Sequence, residues 1–479
     1  MVVVDEQHPR RNIRPHAFHE ANALHVSFFG EPLPAADTTN MTTSSSQSSP
    51  KNERICMGGH RSPIFGTSFS PDGKYLATAS EDSTIRIWQV LSQKLVATLS
   101  EGMDTNYECL RVTWMEFSSD NYSNDDDEVD GEDGVEKYVL ASGGADGIVR
   151  LWSAVGEKSA DDNNKLEWQC VGSLNHFLNE EEDRPQIYAL QFIQSPSYPK
   201  LDILLTSAHD SVYLWNIVIC DENESSESPQ RPNNKKRKLL SFISIQFSHL
   251  DGGTQTNQFG GLRNPKNELY VFDASYSESN DLLAVALSDG TCRVLSLAES
   301  SIDENSDRDS PMQREQCVLS LPPGYFGDRG GHLTAVEWDR SGSRLATCIA
   351  SGKVILWLLQ SVGSGDVISL RPSIVSILDG GAGRPLFGAK YCCGKNEELL
   401  LTWGIEGKVS LWDSYSIGEV MSPICTLVSK TDYPIFALDV TQNGARQSIA
   451  VGGGREGGFL GVAAYLYDRN LDNSDKHFT

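Results

Sequence analysis

The sequence predicts an all-β chain whose repeated four-stranded units close into one ring. Three observations carry this. One strand–turn–strand pattern recurs six times, with a fainter seventh copy. A further strand follows each copy except the last. A spare apolar strand, residues 53–57, precedes the first copy. Each unit is too small to bury its apolar face alone, so the copies must stack and the array must close.

In each copy a run of alternating apolar residues leads to a strand of small residues. A tight turn follows, then a strand ending in an aromatic residue or Leu. The clearest copy starts at His60 and passes through Phe69-Ser70-Pro71-Asp72-Gly73-Lys74-Tyr75-Leu76-Ala77-Thr78-Ala79-Ser80. It ends with Thr84-Ile85-Arg86-Ile87-Trp88. The other strong copies span 140–152, 204–215, 283–295, 345–357 and 400–412, and the faint one spans 449–467. Outer strands are expected at 95–99, 168–171, 242–245, 316–320, 374–377 and 424–428. The last copy lacks one. Residues 53–57 can supply it, which covers strand edges that would otherwise pair with other chains.

These residues resemble the WD-repeat β-propeller family over about residues 53–468. Gly59-His60 and Gly331-His332 match the Gly-His start of its motif, and Trp412-Asp413 is the full Trp-Asp end. Trp88, Trp152, Trp215 and Trp357 keep the Trp alone. The resemblance implies a seven-bladed β-propeller of four-stranded antiparallel blades, the last closed by the N-terminal strand. It also implies a His–Asp–Ser/Thr–Trp network in each blade. His60, Asp82 and Trp88, with Thr78 or Ser80, fit that network in blade one. Elsewhere the pattern departs. Asp146 and Trp152 lack an obvious His, and Asp210 is one residue closer to Trp215. Leu295 stands where a Trp would, Ser351 where an Asp would, and Glu406 accompanies Trp412. A catalytic reading of His60 and Asp82 gives way to this structural one, because a buried indole N–H and imidazole need partners.

Three zones follow. Residues 1–52 form an arm and a low-complexity linker, with Ala23-Leu24-His25-Val26-Ser27-Phe28-Phe29 apolar enough to dock on the propeller side. Residues 53–468 form the propeller, with disordered insertions expected near 120–137, 221–239 and 300–314. Residues 469–479 are a polar tail. The acidic stretch 125–133 reads as a solvated loop rather than a tether for basic protein.

The net charge of −25 argues against a surface that grips nucleic-acid backbones and favours protein partners, basic ones among them. Ten cysteines are scattered, with no Cys-x-x-Cys pair, which suits reduced structural thiols inside a cell. The N-terminus lacks the basic start and apolar core of a secretory signal. No run of about 20 apolar residues suggests a membrane span.

No Gly-x-Ser-x-Gly, His-Glu-x-x-His or Walker motif occurs, so no enzyme, cofactor, metal or small-molecule substrate is expected. The glycine-rich stretch 452–458 reads as a hairpin turn, since it lacks the Lys-Ser/Thr of a phosphate loop. The run Lys235, Lys236, Arg237 and Lys238 resembles a nuclear-import signal in a polar loop; the alternative is a solvated run without a role. Loops that enter the blades from one side carry Arg184, Tyr325, Phe326, Arg329, Arg384 and Tyr433, residue types that anchor interfaces. Alternatively, Tyr325 and Phe326 pack under their loop and Arg184 pairs with Glu181 or Glu182.

The expected function is a non-enzymatic scaffold that assembles an intracellular, preferentially nuclear, multiprotein complex. The family also implies two alternatives: a non-catalytic subunit of an RNA-modifying enzyme, or a ubiquitin-ligase substrate receptor. Residues 412–415 lack the Arg or Lys after Trp-Asp that some such receptors carry.

Overall fold

A computed structural model describes residues 55–56, 59–92, 94–116, 136–156, 166–177, 184–220, 236–248, 269–298, 315–321, 331–362, 369–381, 383–393, 398–414, 418–421, 423, 425–428, 433–441, 447–454 and 458–465. Among these residues all regular structure is strand, and none is helix.

The first described strand is β1 (Ile55–Cys56). The first sheet is β2 (Ile64–Phe69), β3 (Tyr75–Ser80), β4 (Ile85–Gln89) and β5 (Lys94–Leu99). The second is β6 (Cys109–Trp114), β7 (Glu136–Gly144), β8 (Ile148–Gly156) and β9 (Leu166–Asn175). The third is β10 (Leu190–Ile193), β11 (Ile203–Ala208), β12 (Ser211–Cys220) and β13 (Lys236–Gln246). The fourth is β14 (Val271–Ser277), β15 (Leu282–Leu287), β16 (Thr291–Ser296) and β17 (Glu315–Ser320).

The next sheet holds β18 (Leu333–Trp338), β19 (Arg344–Ile349), β20 (Lys353–Val362) and β21 (Ser369–Asp379). Beside it lie β22 (Leu386–Cys393), β23 (Glu398–Gly404) and β24 (Lys408–Asp413), joined by β26 (Cys425–Val428). Between β24 and β26 the chain makes β25 (Gly418–Met421), which joins the neighbouring sheet instead. The last sheet is β27 (Ile435–Val440), β28 (Gln447–Gly454) and β29 (Gly458–Tyr465), with β1 on its outer edge. There Ile55 pairs with Val462 and Cys56 with Gly461, antiparallel.

These are four-stranded antiparallel sheets in a β-propeller arrangement. The expectation of seven four-stranded blades is corrected: among the described residues six sheets have four strands, and the β18 sheet has five. Its extra strand is β25, which pairs parallel with β21 through Ser376–Gly418 and Leu378–Met421. An outer strand offers a row of free backbone groups, and here a neighbouring connection satisfies part of it.

The first strands β2, β6, β10, β14, β18 and β22 each pack against the next, β22 packs on β27, and β27 returns to β2. The apolar clusters therefore lie between sheets, not within them. Leu205 and Leu214 pack across to Leu283 and Val285, and Ala450 of the last sheet meets Ile64, Leu76 and Trp88 of the first. Because both faces of a middle strand are covered, β11 and β15 are buried along their whole length. Small residues such as Ala77 and Ala79 let neighbouring sheets approach.

Two bulges recur. The outer strand carries an extra residue beside the Trp or its replacement: Val96, Val171, Phe242, Gln316 and Val375. The first strand carries another near its start.

Of the insertion expected at 221–239, residues 236–239 lie in β13 and the rest lie outside the described residues. That expected at 120–137 ends where Glu136 begins β7. The arm (1–52), the acidic stretch 125–133, the insertion 300–314 and the tail 469–479 lie outside the described residues.

Candidate functional site

The bulge in every first strand but β10 decides what faces the axis. It leaves Phe65, Leu110, Phe272, Thr334, Phe387 and Phe436 without a direct ladder partner. Tyr188 holds the equivalent place just before β10. Phe65, Leu110, Tyr188 and Phe436 are buried together, with Tyr107, Phe272 and Phe387 packed against them. Ring centroids are 5.1 Å apart for Phe65–Phe436 and for Phe387–Phe436, and 5.9 Å for Tyr188–Phe272. These edge-on and tilted pairs make an apolar collar at one mouth of the ring.

Arg111, next to Leu110, ties the collar from beneath. Its Nε donates to the Tyr188 carbonyl at 2.7 Å, and its Nη1 to the Phe65 and Leu110 carbonyls at 3.3 Å. Burial pulls its pKa below the usual arginine value, against the opposing pull of Asp273.

Arg184 sits on this mouth. Its guanidinium lies 4.9 Å from the Tyr107 ring centroid and 5.2 Å from that of Phe177, and its Nη1 is 3.9 Å from Asp104 Oδ2. The cation thus lies over two aromatic rings. Arg384 and Tyr433 are half-buried and enter β22 and β27 just ahead of Phe387 and Phe436. Tyr325, Phe326 and Arg329 lie outside the described residues, as do Glu181 and Glu182.

Further along the first strands stands a polar set: Ser275, Glu337, Lys390 and Asp439, with Asp273 nearby. Lys390 Nζ is 3.4 Å from Asp439 Oδ1. Asp439 first, then Glu337 and Asp273, raise the Lys390 pKa against its burial. Burial pushes Asp273 up to about 6 and Glu337 up to about 7. Among the described residues no group of three or more His, Cys, Asp or Glu side chains is arranged to hold a metal ion.

In the first sheet, His60 Nδ1 faces Asp82 Oδ2 at 2.9 Å and its Nε2 faces Thr78 Oγ1 at 2.8 Å. Trp88 Nε1 donates to the same Thr78 oxygen at 3.0 Å. Thr78 is therefore the shared hydroxyl, while Ser80 Oγ donates to the Ser62 and Pro63 carbonyls.

A family model described as "WD domain, G-beta repeat" matches residues 51–89, which hold this network. Residues 51–89 thus carry a WD repeat. The chain is 34% identical over 100 residues to the nuclear distribution protein nudF of Emericella nidulans, covering 20% of this chain and 22% of that one. It is 26% identical over 188 residues to the probable cytosolic iron-sulfur protein assembly protein 1 of Pyricularia oryzae, covering 36% and 35%. It is 55% identical over 31 residues to the SAGA complex/transcription factor TFIID complex subunit Taf5 of Schizosaccharomyces pombe, covering 6% and 5%. The matched part spans about a third or less of each relative's length.

Along the chain the Trp–hydroxyl pair recurs where the rest of the network does not. Trp152 donates to Ser142, Trp215 to Thr206, Trp357 to Thr347 and Trp412 to Thr402, each at 2.9 Å. His176 supplies the third sheet: its Nε2 lies 3.1 Å from Thr206 Oγ1. Sequence reading missed it because an insertion puts it 30 positions ahead of Thr206, against 18 for His60 and Thr78. In the second sheet Arg150 takes the place of a His, with Nη1 2.8 Å from Asp146 Oδ2, both side chains buried. The axial charges carried no motif; the usable signal is the shared place of Glu337, Lys390 and Asp439 as the fifth residue of β18, β22 and β27.

The basic run is not a loop in this structure. Lys236, Arg237 and Lys238 pair with Cys220, Ile219 and Val218. Arg237 is 6% exposed. Its carbonyl comes so close to Gly172 of β9 that a Cβ there would meet it at 2.4 Å. Lys235 lies outside the described residues.

Proposed function

We propose that this protein is a non-enzymatic scaffold that gathers other proteins at the collared mouth of its ring. The carrying observation is Arg184, which lies over the rings of Tyr107 and Phe177 beside the collar. A cation already fixed by aromatic faces loses little side-chain entropy on binding, which is what an interface anchor needs. Arg384 and Tyr433 extend the same rim, and Tyr325, Phe326 and Arg329 belong to it by their place in the chain. Relatives named for transcription complexes and for iron-sulfur protein assembly support a role in multiprotein assemblies. Partners with basic surfaces suit the charge of −25.

A nuclear site of action is part of this proposal and rests on residues 235–238. For a receptor to grip all four cations, the outer end of β13 must open to release Arg237.

The test uses the full chain as bait, unaltered, with Arg184→Ala, and with Tyr325→Ala and Arg329→Ala together. Loss of the same co-purifying proteins from both variants, at an unchanged melting temperature, supports the rim. Full recovery by both overturns it.

A further inference from the structure

Exposed apolar side chains cluster on the outer edge of the first sheet. Leu91 is 91% exposed, Leu95 44% and Val96 38%. All three belong to β5 or to the turn before it. No described strand pairs with the outer side of β5. A bare edge with apolar side chains invites a further strand.

The fold shows how such an edge is filled. On β21 the extra residue at the bulge is Val375, and β25 pairs just beyond it, at Ser376 and Leu378. On β5 the extra residue at the bulge is Val96. The same register on β5 falls opposite Ala97 and Leu99.

We propose that residues 23–29 of this chain, Ala23-Leu24-His25-Val26-Ser27-Phe28-Phe29, add as a strand to the outer edge of β5. Leu24, Val26 and Phe28 have the two-residue period of a strand with one apolar face. The chain before β1 leads to the right place, because β1 lies in the sheet whose first strand packs on β2. The 25 residues from 30 to 54 span at most about 85 Å extended. As a coil their ends lie on the order of 25–30 Å apart, the scale of neighbouring sheets.

The size of the edge selects this occupant. A six-residue strand offers much less than the roughly 800 Å² per partner of a stable interface, and two copies of a chain of charge −25 repel. A tethered segment needs less area, since a short linker gives an effective concentration of about millimolar.

Hydrogen exchange of the full chain tests this, comparing the unaltered protein with Val26→Asp plus Phe28→Asp. Peptides covering residues 94–99 and 23–29 should both be protected in the unaltered chain. Both should exchange at least tenfold faster in the variant, at an unchanged melting temperature. A second full-length variant, Ser27→Cys with Thr98→Cys, should form an intramolecular disulfide on mild oxidation. Equal exchange of residues 94–99 in both proteins overturns the proposal. So does protection that grows with protein concentration and survives the Asp substitutions, which would mean a second copy on the edge. Absence of the engineered disulfide alongside unprotected residues 23–29 likewise overturns it.

Discussion

Asp439 Oδ2 accepts a hydrogen bond from the Phe69 backbone N–H at 2.7 Å, across 370 positions of sequence. Asp439 is in β27 of the last sheet and Phe69 in β2 of the first, so this bond spans the ring closure. First strands are edge strands with N–H groups that no ladder satisfies, and a side chain from the preceding sheet supplies the acceptor. Asp273 does this for Val336 at 3.0 Å and Ser275 for Trp338 at 3.3 Å. Asp439 also faces Lys390, so its loss would leave the Phe69 N–H without its acceptor and remove one of the carboxylates around that cation. Asp439→Ala should lower the unfolding free energy by about 2 kcal/mol, and Ser275→Ala by about 1 kcal/mol. Urea unfolding followed by tryptophan fluorescence measures both, and equal effects would refute the closure role.

The Trp–hydroxyl pairs should behave as units. In the fourth sheet Val285 and Leu295 occupy the two places together, and both are fully buried. Removing both polar partners leaves nothing unsatisfied, whereas removing one leaves a buried indole N–H. Thr347→Val should cost about 1–3 kcal/mol while Trp357 remains. A double-mutant cycle with Trp357→Leu should give a coupling of at least about 1 kcal/mol, which excludes simple additivity.

Stability should respond to acid with two opposed contributions. Burial lowers His176 and His332 to about 4, below the unfolded value near 6.5. The unfolded chain then binds more protons between those values, so their contribution is complete above pH 6.5 and is lost as pH falls towards 4. Glu337 and Asp273 are raised, so their contribution is complete below the unfolded values and is lost as pH rises through about 7 and 6. Glu337→Gln should therefore stabilise the protein at pH 8 by about 1–2 kcal/mol, after discounting for partial exposure to water, and by nothing at pH 4. Melting curves at the two pH values check the sign.

Arg184→Lys should not rescue partner capture. An ammonium is a compact, strongly hydrated charge that does not spread over the Tyr107 and Phe177 rings as a guanidinium does. Recovery of co-purifying proteins should fall to the level of Arg184→Ala, with the melting temperature within about 2 °C of the unaltered chain. Capture by the Lys variant at the unaltered level would show that charge alone suffices.

The repeats were legible because burial on both faces forces small and apolar residues into the same strand positions each time. Trp88, Trp152, Trp215, Trp357 and Trp412 are spaced by that requirement. The hydroxyl partners were half legible: Thr78 and Ser80 are equivalent in composition, and only the register of β3 against β4 decides between them. Arg150 and His176 were missed because different side chains can satisfy the same buried groups from different loops. The basic run 236–238 reads as loop because local charge outweighs pattern, yet the lengthened ladder with β12 fixes it as strand.

By itself the sequence determined the all-β class, the repeating unit and the strand that meets the last sheet, since periodicity and turn chemistry are local properties. Only the tertiary structure decided the fifth strand on β21, the collar from Phe65 to Phe436, and the charges of Asp273, Glu337, Lys390 and Asp439 around one axis. Those depend on distances between residues far apart in the chain, which ring closure sets and local composition does not encode.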